Sequence, residues 1–241
     1  TETPRKRLPL RLSLLAFPCL LLLGCFFKAA PPDLPSGENS GEGQAEEVWE
    51  VEFDENFSSL EVGSEPENLF ILDGAYAVSQ EENDKRLTLP GSPVGDFGLL
   101  FGPRVREKSL ELSFSFLATK KGRRLPAMAA GLGGVRSYRF RLNAATREIL
   151  LFRQDVEIGR VAYQWESGTW SQVRFQALPG DDEKTRIRLK LWKRGEEEPK
   201  EWLFDDLDPN EFAGGKCALW AYPYAGTPIH FDDLKIESRS P

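Results

Sequence analysis

Hydrophobic and polar residues alternate with a period of two over much of the chain after position 48. In residues 109–119, a Leu or Phe stands at every even position from 110 to 116, with Glu or Ser between them. Because successive side chains of a β-strand point to opposite faces, this segment predicts a strand with one buried face. Residues 137–142 and 186–193 repeat the alternation, with Arg or Lys at most of the polar positions.

Twelve further segments have strand character, whereas no stretch of 12 or more residues shows the stripe of an amphipathic helix. They are residues 48–53, 70–72, 75–78, 86–89, 97–101, 127–132, 149–153, 157–163, 170–177, 201–204, 217–222 and 229–237. Asp73-Gly74 lies between two of them and is a signal for a tight hairpin. So many short strands predict an all-β fold, and their number favours a two-sheet antiparallel jelly-roll sandwich over a smaller immunoglobulin-type domain.

The first 25 residues have a different pattern. Four basic residues lie among the first eleven, and the apolar run 12–23 follows and ends at Gly24-Cys25. The run is shorter than the roughly 20 residues that a transmembrane helix needs, so it predicts an export signal. The sequence Leu-Leu-Gly-Cys at 22–25 resembles the lipobox of bacterial lipoproteins, which implies cleavage before Cys25 and lipidation of Cys25.

Composition after this signal divides the rest of the chain into two parts. Residues 25–47 are rich in Pro, Gly, Ser and Glu and predict a flexible linker, and residues 48–238 predict one domain. Removal of the signal peptide 1–24 leaves 27 basic and 37 acidic side chains, a net charge of -10. Anionic membrane surfaces repel such a body, so we expect attachment to the bacterial envelope, at the outer membrane or cell surface, to depend on the lipid.

Charge and composition exclude several classes of function. The full chain carries 31 Lys and Arg against 38 Asp and Glu, a net charge of -7, which argues against a nucleic-acid partner. One His and three Cys provide neither a poly-His metal centre nor a disulfide framework. No pattern in the sequence indicates an organic cofactor.

Four short motifs carry a family resemblance over the domain. They are VEFDENF at 51–57, LDGAY at 72–76, GTWSQVRF at 168–175 and FDDLKI at 231–236. These motifs resemble those of concanavalin A-like, laminin G-like jelly rolls, which occur in bacterial lipoproteins and sugar-active proteins. The general layout is also similar, more distantly, to domains of the 3-keto-disaccharide hydrolase type. The resemblance implies the jelly-roll fold and places Trp170 in the core.

Paired carboxylates are the candidate catalytic residues. Laminarinase-like jelly rolls place their carboxylates in a Glu-x-Asp-x-x-Glu run, and this chain offers only Asp155 and Glu157, with Glu148 further away. The spacing does not match, so no catalytic residue is assigned, although glycoside hydrolysis by a carboxylate pair stays an alternative. His230 and Cys217 lie in apolar strand segments, and we expect both to be structural.

A structural calcium ion is a second candidate feature. In jelly rolls the first and last strands often pair, which would bring Asp54 and Glu55 near Asp232 and Asp233. Carboxylates of this kind suit Ca²⁺, and similar sugar-binding jelly rolls carry a structural calcium in such a place. The alternative is that these acids cap strand ends and accept hydrogen bonds from backbone amides.

Aromatic residues give the remaining signal, because sugars present C–H faces to aromatic rings. Trp192 alternates with the apolar residues of its segment and shares a face with Arg188, while Trp220 and Tyr222 share a face of another segment that Tyr224 follows. These five residues are the candidate ligand contacts, and the alternative is that the aromatic ones serve packing.

Together these features favour a lipid-anchored, extracytoplasmic binding module whose ligand is a carbohydrate or cell-surface glycan. Two other hypotheses stay open. One is a glycoside-processing hydrolase of a concanavalin A-like family, and the other is a non-catalytic envelope scaffold that recognises protein.

Overall fold

The computed structural model describes residues 48–92, 95–180 and 182–241. The predicted signal peptide, Cys25 and the linker lie outside these residues. Regular structure in the described part of the chain consists of 15 β-strands without a helix, which confirms the all-β prediction. Accordingly, none of the described segments is a helix of the length and apolar character needed to cross a membrane.

The strands follow one another in chain order with short connections. They are β1 (Glu50–Glu55), β2 (Leu69–Ile71), β3 (Ala77–Glu81), β4 (Asp84–Leu89), β5 (Phe97–Val105), β6 (Ser109–Ala118), β7 (Ala127–Leu132), β8 (Tyr138–Asn143), β9 (Glu148–Arg153), β10 (Val156–Ala162), β11 (Ser171–Pro179), β12 (Thr185–Lys193), β13 (Phe204–Asp208), β14 (Gly215–Tyr222) and β15 (Ile229–Arg239).

Two antiparallel sheets contain all of these strands, as the jelly-roll prediction requires. The eight-stranded sheet has the order β13-β12-β11-β6-β15-β4-β3, and β1 pairs with β15. The seven-stranded sheet has the order β10-β9-β8-β7-β14-β5-β2. Strands distant in sequence become neighbours in this arrangement, so the residues of one face come from separate parts of the chain.

The core lies between the two sheets and consists of the apolar positions of the alternating strands. Phe140 of the seven-stranded sheet meets Phe175 of the eight-stranded sheet edge to face, with ring centroids 5.3 Å apart. Both side chains are fully buried. Burial of one such side chain stabilises the fold by about 1.5–3 kcal/mol, and the edge-to-face geometry adds to this.

Asp73-Gly74 connects the two sheets and does not form the predicted hairpin. The strand before it, β2, pairs with β5 in the seven-stranded sheet, whereas β3 pairs with β4 in the eight-stranded sheet. Gly74 has a φ of +106°, and a Cβ there would lie 3.0 Å from the Cβ of Phe97. Gly74 therefore allows the sharp turn by which the chain crosses from the seven-stranded sheet to the eight-stranded sheet.

Two other predictions also differ from the structure. The strand predicted at 201–204 is β13, which begins at Phe204 and continues through the acidic residues to Asp208. Trp170 is half-buried outside the core, with its ring 5.1 Å from the guanidinium carbon of Arg194. The reason is that β11 directs Val173 and Phe175 inward, so that position 170 falls on the outward side.

Candidate functional site

The five candidate ligand residues lie on separate surfaces. Arg188 and Trp192 belong to β12 of the eight-stranded sheet, whereas Trp220 and Tyr222 belong to β14 of the seven-stranded sheet. Tyr224 follows β14 in a turn, where its backbone amide donates to the Oγ1 of Thr227 at 2.7 Å. The structure therefore offers two outer faces for comparison, one on each sheet.

The outer face of the eight-stranded sheet carries charges that pair with each other. The Nε of Arg188 lies 3.3 Å from a carboxylate oxygen of Asp205. Lys190 lies 2.8 Å from Glu198, and Arg174 contacts both Glu198 at 3.2 Å and Glu111 at 3.4 Å. Because these charges are already neutralised, the surface around Arg188 has little free capacity for a ligand.

Trp192 borders only a shallow depression on this face. Its cross-strand neighbour is Gln172, and both residues line a cavity of about 130 Å³ together with Arg174 and Asp233. The carboxylate of Asp233 is itself held by Arg194 at 3.0 Å. The depression is too small for a sugar chain to bury much of its surface.

The outer face of the seven-stranded sheet has a floor of small residues under an indole ring. Trp220 stands between Ala129 on β7 and Gly98 on β5. A Cβ at Gly98 would lie 2.8 Å from the Cδ1 of Trp220, and one at Gly131 would lie 3.0 Å from its Cζ3. The indole therefore lies flat across three strands, with 6% of the residue exposed.

Two arginines of β8 stack on the aromatic rings beside this floor. The guanidinium carbon of Arg139 lies 5.4 Å from the Trp220 ring centroid and 5.3 Å from that of Phe152. That of Arg141 lies 4.3 Å from the ring centroid of Tyr222. We call these five residues the aromatic–arginine face. Cation–π contacts of this kind hold the two guanidinium groups in place.

The hydroxyl of Tyr222 stays protonated in this environment. Burial raises the pKa of Tyr222, and the nearby carboxylate of Asp96 raises it further, while Arg141 and Arg139 act in the opposite direction. A protonated phenol can donate a hydrogen bond. The face thus combines apolar rings with hydrogen-bond donors.

A cleft of about 730 Å³ adjoins this surface at one end of the seven-stranded sheet. Leu100 links the two, because it lines the cleft and also packs against the cluster of Ala129, Ala218 and Trp220. Glycines and charged side chains make up much of its lining, namely Gly133, Gly134, Gly214, Gly215, Arg104, Arg106, Arg136, Lys216, Glu107 and Glu211. We call it the glycine-lined cleft.

The predicted calcium carboxylates do not form a metal site. The strands β1 and β15 pair as expected, with Asp54 opposite Lys235. Glu55, however, accepts hydrogen bonds from the amide of Phe57 at 2.6 Å and the Nδ2 of Asn68 at 2.7 Å.

The other two carboxylates of that prediction pair with a cation on their own sheet. Asp232 and Asp233 lie 3.1 Å and 3.0 Å from the guanidinium of Arg194. Within the described residues, no group of three or more His, Cys, Asp or Glu side chains could hold a metal ion. Glu55 and Asp232 accept hydrogen bonds from backbone amides, as in the alternative, whereas the ion pairs of Asp232 and Asp233 with Arg194 were not predicted.

The acidic residues considered for catalysis either pair with an arginine or lie in an exposed turn. Asp155 lies in the exposed turn between β9 and β10. Glu157 accepts two hydrogen bonds from Arg160, at 2.8 and 2.9 Å, and Glu148 lies 3.6 Å from the same guanidinium.

Cys217 is fully buried, and burial raises the pKa of its thiol.

Arg139 and Arg141 were not among the site residues predicted from the sequence. Their alternation with Tyr138, Phe140 and Leu142 placed them on the polar side of a strand, and β8 has this pattern. The aromatic partners come from β9 and β14, so only the strand order identifies the stacking. The signal within the sequence was limited to two outward arginines on one strand.

Comparison with solved structures places the fold among lectin-like jelly rolls. The metal-free carbohydrate recognition domain of Emp46p matches with a TM-score of 0.55 at 11% identity, over 80% of this chain and 98% of that domain. Lectin II from Ulex europaeus matches with a TM-score of 0.52 at 11% identity, over 79% of this chain and 100% of that one. A sialidase matches with a TM-score of 0.53 at 13% identity, over 77% of this chain and 18% of that chain.

Neither of the sequence comparisons adds a relative. No protein-family model matches the chain, and no curated protein matches it. At the identities of the structural matches, the likeness establishes the fold, a two-sheet jelly roll of the lectin type.

Proposed function

We propose that this protein is a non-catalytic carbohydrate-binding module and that its ligand binds on the aromatic–arginine face. The observation that carries the proposal is the pair of arginines, Arg139 and Arg141, stacked on aromatic rings and free of carboxylate partners among the described residues. Structures with the same fold include domains described as carbohydrate recognition domains and a lectin complexed with galactose.

The proposed contacts divide between rings and donors. Phe152 and Tyr222 are partly exposed and offer ring surface to the C–H face of a sugar. The guanidinium groups of Arg139 and Arg141 donate the hydrogen bonds that orient it, since the Tyr222 hydroxyl is already hydrogen-bonded to Asp96. Trp220 is nearly covered, so its role is to support Arg139 from below.

A glycan array tests this function with the purified protein. Binding should be saturable and should fall in an Arg139→Gln/Arg141→Gln double variant, while a Trp192→Ala variant on the opposite sheet should bind as the wild type does. Absence of binding to every glycan, or equal loss in the Trp192→Ala control, would contradict the proposal. Binding to an envelope protein alone would favour the scaffold hypothesis.

The absence of catalysis is part of the proposal and has its own test. Glu157 and Glu148 share one guanidinium, that of Arg160, and Asp155 lies in an exposed turn. A general acid needs an environment shielded from water, which these exposed or ion-paired carboxylates do not have. Incubation with the glycans that bind should therefore leave them intact by mass spectrometry, and released fragments would point to a hydrolase instead.

We also propose that the module is exported and anchored to a bacterial envelope by a lipid on Cys25. The support is the order of basic residues, apolar run and Cys in residues 1–25, followed by the Pro- and Gly-rich linker 26–47. Labelling with a fatty-acid analogue should mark the wild type and not a Cys25→Ser variant. Export of an unlabelled wild-type protein into the medium would overturn this placement.

A further inference from the structure

We propose that the ligand of the aromatic–arginine face is an anionic glycan, which Arg139 and Arg141 bind through its carboxylate or sulfate groups. This inference rests on the proposed carbohydrate-binding function and specifies the chemical class of its ligand. The supporting observations are the partners of the two guanidinium groups and the charges around them.

Other arginines of similar burial pair with acids. Arg86 forms an ion pair with Glu81, and the guanidiniums of Arg153, Arg174 and Arg188 lie 3.5, 3.4 and 3.3 Å from carboxylate oxygens. They contrast with Arg139 and Arg141, since neither of these forms an ion pair within 4.0 Å with a described acid. Because a half-buried cation without a counter-charge is costly, these two are the exception that needs an explanation.

The N–H donors of the two guanidinium groups have no acceptor among the described residues. The Nε atoms of Arg139 and Arg141 are buried without a partner. Their terminal nitrogens donate no hydrogen bond to a described residue and are not among the buried unpaired atoms, so they are at least partly accessible to solvent. An approaching ligand can therefore reach the terminal N–H groups, which are the donors that bind a carboxylate bidentately.

Stacking prepares the two groups for this role. Arg139 lies against Trp220 and Phe152, and Arg141 lies against Tyr222, so aromatic contacts hold each guanidinium group in position. An arginine held in this way loses less conformational freedom when it binds an anion. The two residues are two positions apart on β8, a separation of about 6.6 Å, so they can contact successive charged groups of one chain.

The surroundings of the two arginines add positive charge. The glycine-lined cleft carries four basic side chains and two acidic ones, and its Arg136 precedes Arg139 by three residues. Of the nearby acids, Glu148 and Glu157 are paired with Arg160, and Asp96 lies beside Tyr222 and interacts with its hydroxyl. A basic region of this extent on a chain with a net charge of -7 is a local feature, and it would attract an anionic polymer.

Matched pairs of ligands test the requirement for negative charge. Calorimetry with the full chain would compare trigalacturonic acid with its methyl ester, and a heparin hexasaccharide with its desulfated form. We expect the more highly charged member of at least one pair to bind about 10- to 100-fold more tightly than the other member. We also expect this binding to weaken as salt is added. The pair that shows the difference identifies carboxylate or sulfate as the charged group.

Variants locate the binding site. Arg139→Gln and Arg141→Gln should each weaken anionic binding about tenfold or more, and Arg139→Lys and Arg141→Lys should retain part of it because the charge is kept. Arg186→Gln is the matched control, since Arg186 is also paired with an acid, Asp205, but lies on the eight-stranded sheet. Melting curves verify that each variant is folded.

The outcomes separate this inference from the function on which it rests. Equal affinity for trigalacturonic acid and its neutral methyl ester, together with equal affinity for the heparin hexasaccharide and its less charged desulfated form, would overturn the anionic class and leave a glycan-binding module. Loss of binding in Arg186→Gln, with both β8 glutamine variants unaffected, would also overturn it. Failure of the wild type to bind any glycan would refute the proposed function together with this inference.

Discussion

His230 is the only histidine in the sequence, and it lies on the outward side of β15 next to β4. Its Nδ1 is 2.7 Å from the Oγ1 of Thr88, which in turn contacts the Oγ of Ser79. Burial lowers the pKa of His230 to about 4, and the charge of Arg86 contributes in the same direction, while Glu81 opposes both. The imidazole is therefore neutral at physiological pH and serves the hydrogen-bonded packing of the sheet.

A titration of this single imidazole gives a direct prediction. Because the folded-state pKa lies below 6.5, the stability that His230 contributes is present above pH 6.5 and is lost as the pH falls through about 4. The free energy of unfolding should fall by on the order of 2–3 kcal/mol over that range from this residue. The ring signals in a proton NMR titration should change near pH 4, and a midpoint near 6.5 would contradict the prediction.

Asp232, two residues further along β15, acts in the opposite direction. Burial and the neighbouring Asp233 raise the pKa of Asp232 to about 6, although Arg194 opposes this. The stability that Asp232 contributes is thus present below about pH 4 and is lost as the pH rises through 6. Comparison with an Asp232→Asn variant would separate its effect on unfolding from that of His230.

At the scale of strands, the contact of Phe140 with Phe175 joins β8 and β11 across the two sheets. Replacement of either ring by Ala should destabilise the protein by about 3–5 kcal/mol, because both sites are fully buried. The double variant should cost less than the sum of the two, with a coupling of about 1 kcal/mol. Denaturant unfolding of the four proteins measures this, and strict additivity would mean that the rings do not interact.

The strands were accessible to prediction from sequence because a half-buried strand repeats every two residues. The segment 109–119 and β6 agree closely for this reason. The sheet to which a strand belongs depends on distant partners, which the local pattern does not contain. Asp73-Gly74 shows this, since its turn chemistry fits a hairpin while its flanking strands pair with β5 and β4 in different sheets.

The candidate site was predicted in part for the same reason. Alternation placed Trp220 and Tyr222 on one face, as β14 has them, but it gave no indication that Gly98 and Gly131 receive the indole. Trp192 and Arg188 have the same local pattern and lie on the other sheet, where ion pairs neutralise Arg188. Residues with the same local sequence pattern thus differ in whether they are free to bind a ligand, because the pairing of distant strands determines their neighbours.

At the scale of the whole molecule, the described domain is held together by its sandwich core. Cys217 is a free, buried cysteine, and three of the four acids predicted to bind calcium are engaged, Glu55 by an amide and Asp232 and Asp233 by Arg194. A chelator should therefore leave the melting midpoint unchanged, and millimolar Ca²⁺ should shift it by less than about 1 °C. Thermal melts followed by circular dichroism measure this, and a rise of several degrees with calcium would indicate a site.

Alternate positions of β8 serve different purposes, and this separation makes the domain suitable for engineering. Tyr138, Phe140 and Leu142 are buried in the core, while Arg139, Arg141 and Asn143 point away from it. A display library randomised at the three outward positions should keep its expression and folding while it samples new specificities. Selection on such a library could turn one scaffold into a set of reagents that distinguish closely related polymers.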